Sequence, residues 1–219
     1  LVEKPKIHFT HETQMEDGRY KAGQNLDFYC EAFGSPSINV YWTLNGKIVQ
    51  GHRRRSLLDR IRNGDKMMIG ANTVGSRLEL ECIDYRMSGS LACVADNGFE
   101  VIKNTVKLSI AGTGRCPRMR PNRPQIGSWT VSRFEEIGNS AVFQCRRASM
   151  GSTITWVNEN EEPVRIEDGF LILPNGDLLV SPIKYEHIGS YYCIAREGDV
   201  EERTETFLYA TDASAKIPT

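Results

Sequence analysis

The chain has 219 residues, with 27 Lys and Arg against 28 Asp and Glu, 40% apolar residues and 25% charged ones. That length fits one large or two small domains, and that composition excludes wholesale disorder. A net charge of −1 gives no reason to expect nucleic acid or an acidic substrate, no apolar run is long enough to cross a bilayer, and no signal-peptide pattern is present, so the abrupt start at Leu1 reads as a mature or trimmed product.

Charge is unevenly spread. Residues 1–111 carry net +2, residues 112–123 net +4 and residues 124–219 net −7. This favours two domains with a basic joint. Six cysteines, an even number with no CxxC spacing, suit an oxidising compartment and argue against zinc.

Along the chain, His8 and His11 fall on opposite sides of an expected strand and cannot chelate together. Leu26, Phe28 and Cys30 then share one face of a strand, and Trp42 follows Cys30 after 12 residues. Residues 51–64 form an insertion that the second half of the chain lacks. Within it, Ser56 and Asp59 suit the start of one helical turn, with Leu57, Leu58 and Ile61 along one side. It also holds Arg53, Arg54, Arg55, Arg60 and Arg62, which suit a sulfated glycan or an acidic partner; the plainer reading is a solvated loop leaning on the acidic second domain.

Leu78, Leu80 and Ile83 lie 15, 13 and 10 residues before Cys93, and Leu178, Val180 and Ile183 lie at the same offsets before Cys193. Ala141, Phe143 and Cys145 repeat the first alternation, and Trp156 follows Cys145 after 11 residues. Asn-Gly pairs at 45–46, 63–64, 97–98 and 175–176 mark tight turns. Two Cys…Trp…Cys sets among short strands predict an all-β protein of two tandem immunoglobulin-like (I-set type) sandwiches. The expected division is 1–111 for the first domain, 112–123 for an Arg-rich linker, 124–211 for the second domain and 212–219 for a tail. Cys30–Cys93 and Cys145–Cys193 are the expected inter-sheet disulfides, packed on Trp42 and Trp156.

The halves differ at the corner of the strand that ends in the second cysteine. Tyr191 has the position of the tyrosine corner, whereas the first half has Leu91 there. The acid usual six residues before that cysteine is replaced by Met87 and by His187, the latter read as a surface strand-end residue.

Cys82 and Cys116 remain. Alternation points Cys82 inward, but the repeat gives that role to Ile83, so the strand must end or bend there and turn Cys82 outward. A Cys82–Cys116 bridge would tie the joint to the first domain and contribute about 2–4 kcal/mol; a free thiol or an intermolecular pair is the rival.

On the second domain, Val157, Tyr192, Ile194, Phe207 and Tyr209 fall on outward positions of adjacent strands. Together they read as one apolar face for a partner or a second copy of the chain, unless the other domain covers it. No GxSxG, HExxH or phosphate-loop pattern occurs, so neither catalysis nor a metal or other cofactor is expected. No Asn-x-Ser/Thr acceptor occurs either.

Several segments carry a more specific likeness. They are Trp129-Thr130-Val131-Ser132-Arg133-Phe134-Glu135 with Gly138-Asn139, Pro174 to Val180, Cys193-Ile194-Ala195-Arg196, and Glu205-Thr206-Phe207-Leu208-Tyr209. With these the chain resembles the small secreted two-immunoglobulin proteins of invertebrates, the nematode zwei-Ig proteins and the insect insulin-binding protein of late imaginal morphogenesis. The extra pair Cys82 and Cys116 resembles a feature of the nematode members. The resemblance implies a secreted, extracellular, non-enzymatic protein. Insect members bind insulin-like peptides and limit their signalling, and nematode members include proteins that maintain axon position. The leading expectation is therefore a binder that sequesters an insulin-like peptide. The alternative is a neuronal adhesion or guidance cue that binds a cell-surface protein or sulfated glycan.

Overall fold

The computed structural model describes residues 7–9, 18–53, 58–117, 126–148 and 150–212. The first half contributes β1 (Ile7–Phe9), β2 (Gly18–Lys21), β3 (Leu26–Gly34), β4 (Asn39–Leu44), β5 (Lys47–Gln50), a short helix α1 (Leu58–Asn63), β6 (Ala71–Leu80), β7 (Gly89–Asp96) and β8 (Val101–Ala111). The second half contributes β9 (Ile126–Glu136), β10 (Ala141–Phe143), β11 (Cys145–Arg147), β12 (Thr153–Asn158), β13 (Phe170–Ile172), β14 (Leu178–Val180), β15 (Gly189–Glu197) and β16 (Val200–Thr211).

These strands form two immunoglobulin-like sandwiches. In the first, β1, β3 and β6 pack on a five-stranded sheet of order β2-β8-β7-β4-β5. In the second, β16, β15 and β12 pack on β10, β14 and β13. Each core closes on a disulfide and a tryptophan. Cys30 is bonded to Cys93 beside Trp42, and Cys145 to Cys193 beside Trp156. The ladder residues Leu78, Leu80, Ile83, Leu178, Val180 and Ile183 are all buried. Period-2 alternation explains this: one face of each strand must leave water, at roughly 25 cal/mol per Å² of apolar area. Both indole N–H groups are satisfied. Trp42 Nε1 donates to Ser76 Oγ at 2.9 Å and Trp156 Nε1 to the Gly176 carbonyl at 2.8 Å.

The sandwiches share a sheet. Strand β6 pairs antiparallel with β9, whose second half pairs in parallel with β16, giving an eight-stranded sheet that runs β1-β3-β6-β9-β16-β15-β12, with β11 as the eighth strand paired to the first half of β9. The register matches Ala71 with Phe134, Asn72 with Arg133 and Thr73 with Ser132; it then shifts and matches Gly75 with Trp129. The shift is a β-bulge that takes up Val131 and lets β9 leave the β11 side of the second sandwich for the β16 side. Glycine at 75 suits this close approach. A Cβ there would lie 3.0 Å from the Tyr29 hydroxyl and 3.1 Å from the Trp129 ring.

Polar contacts lock the seam. Arg133 is fully buried, 3.0 Å from Asp59 of α1 and 2.9 Å from Glu135. Glu135 also accepts from the backbone N–H groups of Ile69 and Gly70 and from Asn139 Nδ2. Asn63 exchanges two hydrogen bonds with the Ser140 backbone, at 3.0 and 2.6 Å. The segment 58–70 is thus a clasp on the second sandwich. The apolar side expected for its helix is corrected: Asp59 and Asn63 are its buried residues and Ile61 is 73% exposed, because the surface it meets is one of charges and backbone groups. Ser56 and Leu57 lie outside the described residues.

Strand β6 ends at Leu80, and Cys82 turns into the left-handed region with φ 47°, its N–H held by Asn25 Oδ1 at 2.8 Å. Ile83 returns to the core and Cys82 is bonded to Cys116. The segment after β8 packs so closely that a Cβ on Gly114 would lie 1.7 Å from the Ala22 carbonyl oxygen.

At the corner of the second sandwich, the Tyr191 hydroxyl donates to the His187 carbonyl at 2.7 Å, and burial raises its pKa. His187 is not on the surface as expected. It is buried against Phe170, its Nδ1 accepts from the Lys184 N–H at 3.1 Å and its Nε2 lies 2.9 Å from the Asp168 carbonyl oxygen. The ring fills the corner and caps the turn, which leaves no room outside for it. Burial holds its pKa below the ordinary 6.5. The unfolded chain therefore takes up the proton first, and stability should fall as the pH drops below about 6.5. Denaturant titrations from pH 7.5 to 5 should show this slope, and His187→Gln should flatten it; an equal slope in the variant would contradict the assignment.

Candidate functional site

The exposed face of the eight-stranded sheet crosses the seam. At its centre, β9 and β16 bring Phe134 beside Tyr209 and Ser132 beside Phe207. Phe134 and Tyr209 stack with ring centroids 4.5 Å apart and planes 8° apart, and Phe207 lies 4.4 Å from Tyr209. Phe134 and Tyr209 are 36% and 44% exposed, and Phe207 is half-buried. Residues two apart on one strand share a face, so this arrangement follows from alternation on β16 and from its register with β9.

The five outward residues expected as one apolar patch divide. Phe207 and Tyr209 join Phe134 in the aromatic cluster. Val157 and Ile194 also point away from the core, but they are only 9% and 5% exposed and offer little surface. Ile194 lies between its pairing partners Thr155 and Arg203, and Val157 is bridged by Pro163. Tyr192 is half-buried beneath Arg203, whose guanidinium carbon sits 4.1 Å from the ring centroid. Arg203 also makes a two-pronged hydrogen bond to Glu161, which holds the Glu161 carboxyl below its ordinary value. An ion pair thus covers the outer half of the expected patch. Phe134 escaped notice because it precedes the first cysteine of its own domain, where the repeat offers no strand partner.

Among the arginines, Arg53, Arg60 and Arg62 are exposed, with Arg60 5.8 Å from the Phe99 ring centroid; Arg54 and Arg55 lie outside the described residues. In the joint Arg115 is exposed, and Arg118, Arg120 and Arg123 lie outside the described residues, as does His11. No group of three or more His, Cys, Asp or Glu side chains among the described residues is placed to hold a metal ion, and no helix among them is long and apolar enough to cross a membrane.

Comparison with known proteins agrees with this architecture. Residues 4–97 match the family model described as an immunoglobulin domain. The zwei Ig domain protein zig-4 of Caenorhabditis elegans is 33% identical over 199 residues, covering 90% of this chain and 78% of that protein. Its relative zig-3 is 31% identical over 213 residues, 96% and 83% of the two chains. Neural/ectodermal development factor IMP-L2 of Drosophila melanogaster is 26% identical over 197 residues, 85% and 70% of the two chains. The crystal structure of IMP-L2 superposes with a TM-score of 0.70 at 22% identity, covering 96% of this chain and 97% of that one, a likeness of fold. On its identity to zig-4 and zig-3 over nine-tenths or more of its length, the chain belongs to the zwei Ig domain family.

Proposed function

We propose that the chain is an extracellular, non-enzymatic binding protein that sequesters an insulin-like peptide and so limits signalling by it. The observation that carries this reading is the exposed aromatic cluster of Phe134, Phe207 and Tyr209 at the middle of the shared sheet. Aromatic side chains offer large, rigid contact area at low entropic cost, and clusters of this kind are the usual anchors of protein interfaces. A peptide hormone buries its own apolar receptor-binding surface against such a platform, and that burial blocks the receptor. The hydrophilic border, with Glu205 held by Ser190 on one side and Glu136 on the other, sets orientation. The resemblance to the insect insulin-binding protein supports the choice of ligand.

Calorimetric titration of the full chain against a panel of insulin-like peptides tests the reading. Binding by at least one peptide is expected, with Phe207→Asp weakening it about thirtyfold, as for an anchor residue worth roughly 2 kcal/mol. Absence of binding up to tens of micromolar across the panel, or an unchanged affinity in the variant, would sink it.

A further inference from the structure

A recess lies where the two sandwiches meet. It has a volume of about 220 Å³ and is lined from the first sandwich by Asn39, Gln50 and His52 and from the second by Arg146, Arg147 and Asn175. Among the described residues no Asp or Glu lines it, although the second half of the chain is strongly acidic. The contrast with the recess at the corner of the second sandwich is sharp. That one is lined by Glu159, Glu162, Asp168 and Glu186. One of the two guanidinium charges in the inter-domain recess is matched from behind, where Arg146 grips the buried Asp177 with Nε and Nη2 at 2.6 and 2.7 Å. The other is not matched by a carboxylate among the described residues: Arg147 is exposed and donates Nη1 to the Ser152 carbonyl at 2.7 Å. His52 adds a polar ring at the rim, and the exposed Arg53 follows it.

The floor of the recess is fixed. Gln50 Nε2 donates to the carbonyls of Arg77 and Gly127 at 2.7 and 3.2 Å, which ties β5 to the seam, and Asn39 Nδ2 donates to the His52 carbonyl. Net positive charge selects an anion. Asn175 is engaged at both ends by Asp177, and Gln50 Nε2 by two carbonyls; among the described residues this leaves Gln50 Oε1 and the remaining capacity of the Asn39 amide to meet hydroxyl groups, which both donate and accept. A cavity of this volume takes one ring-sized unit and not a folded segment of protein.

We propose that this inter-domain recess binds one sulfated sugar unit of an extracellular glycan, with Arg147 and His52 on the sulfate and Gln50 Oε1 and the Asn39 amide on the ring hydroxyls. The site is separate from the aromatic cluster and does not depend on the peptide reading. It exists only in the locked arrangement, since each sandwich supplies half of it.

The test is isothermal titration of the full chain with a heparin-derived hexasaccharide at about 0.15 M salt, where surface charges beyond ~8 Å are screened. The matched probe is the same hexasaccharide after desulfation. Binding is expected for the sulfated probe and not for the desulfated one. Arg147→Gln should weaken it about tenfold, the worth of one charge-assisted hydrogen bond. His52→Ala should weaken it in the same direction. Arg86→Gln, which removes an exposed arginine beyond the far end of β6, should leave the affinity unchanged, as should Phe207→Asp. Equal binding of the two probes, no binding of either, an unaltered affinity in both Arg147→Gln and His52→Ala, or an equal loss in Arg86→Gln would overturn the proposal. Peptide binding lost in Phe207→Asp with hexasaccharide binding retained separates the two sites.

Discussion

Replacing Arg133 with alanine should lower the unfolding free energy by about 3–5 kcal/mol, the usual cost of removing one partner of a buried ion pair. The guanidinium is fully buried between Asp59 at 3.0 Å and Glu135 at 2.9 Å. The two carboxylates will not suffer equally. Glu135 keeps the Ile69, Gly70 and Glu136 N–H groups and the Asn139 amide. Among the described residues Asp59 keeps only the adjacent Arg60 N–H, so it is the carboxylate left with the weaker compensation. The penalty should therefore be non-additive: Asp59→Asn in the Arg133→Ala background should recover part of the loss. Because Arg133 holds α1 and its flanking segment on β9, the variant should also uncouple the sandwiches. Scanning calorimetry should show one transition for the natural chain and two for Arg133→Ala. A loss under about 1 kcal/mol with a single transition would show that the backbone ladder alone sets the joint.

Trp156→Ala should cost a similar amount, about 3–5 kcal/mol. The ring is buried in the second core with its centroid 6.3 Å from that of Phe143, and its removal leaves a cavity that the Cys145–Cys193 bond keeps from collapsing. The Gly176 carbonyl also loses its donor. At roughly 2–4 °C per kcal/mol for a chain of this size, the melting temperature should drop by about 6–20 °C. Trp156→Phe retains most of the apolar volume but not the N–H, and should cost about 1–3 kcal/mol, the price of an unsatisfied buried carbonyl. Equal losses in the two variants would mean that the hydrogen bond, not the volume, holds the site.

Much of the fold was legible in the chain because its information is periodic. Leu78, Leu80 and Ile83 match Leu178, Val180 and Ile183 in offset, and such matches identify inward faces without any knowledge of tertiary contacts. The bend at Cys82 followed from the same offsets. The shared sheet left no such trace. It is made by backbone pairing of Ala71–Ser76 with β9, where the side chains are mostly small or polar and show no apolar seam. Nothing in the local pattern marks Arg133 and Glu135 as buried, because each is covered by residues from the other half of the chain. The Trp129–Asn139 block did stand out by its likeness to the family, and the structure gives that block a physical role: it supplies most of the pairing with β6, and with it Arg133, Glu135 and Asn139. His187 misled because a histidine beside a strand end is ordinarily wet, whereas here it caps a buried turn. Val157 and Ile194 point outward as alternation requires, but alternation cannot foresee that neighbouring side chains will close over them.

The antiparallel pairing of β6 with β9 has a mechanical consequence. Tandem sandwiches joined end to end lengthen under tension by straightening their connection before any domain yields. Here a pull along the strands meets the hydrogen bonds between residues 71–76 and 128–134 side by side, so they share the load in shear and do not peel apart one after another. The molecule acts as a stiff strut whose span between its two outer edges stays constant until a sandwich itself fails.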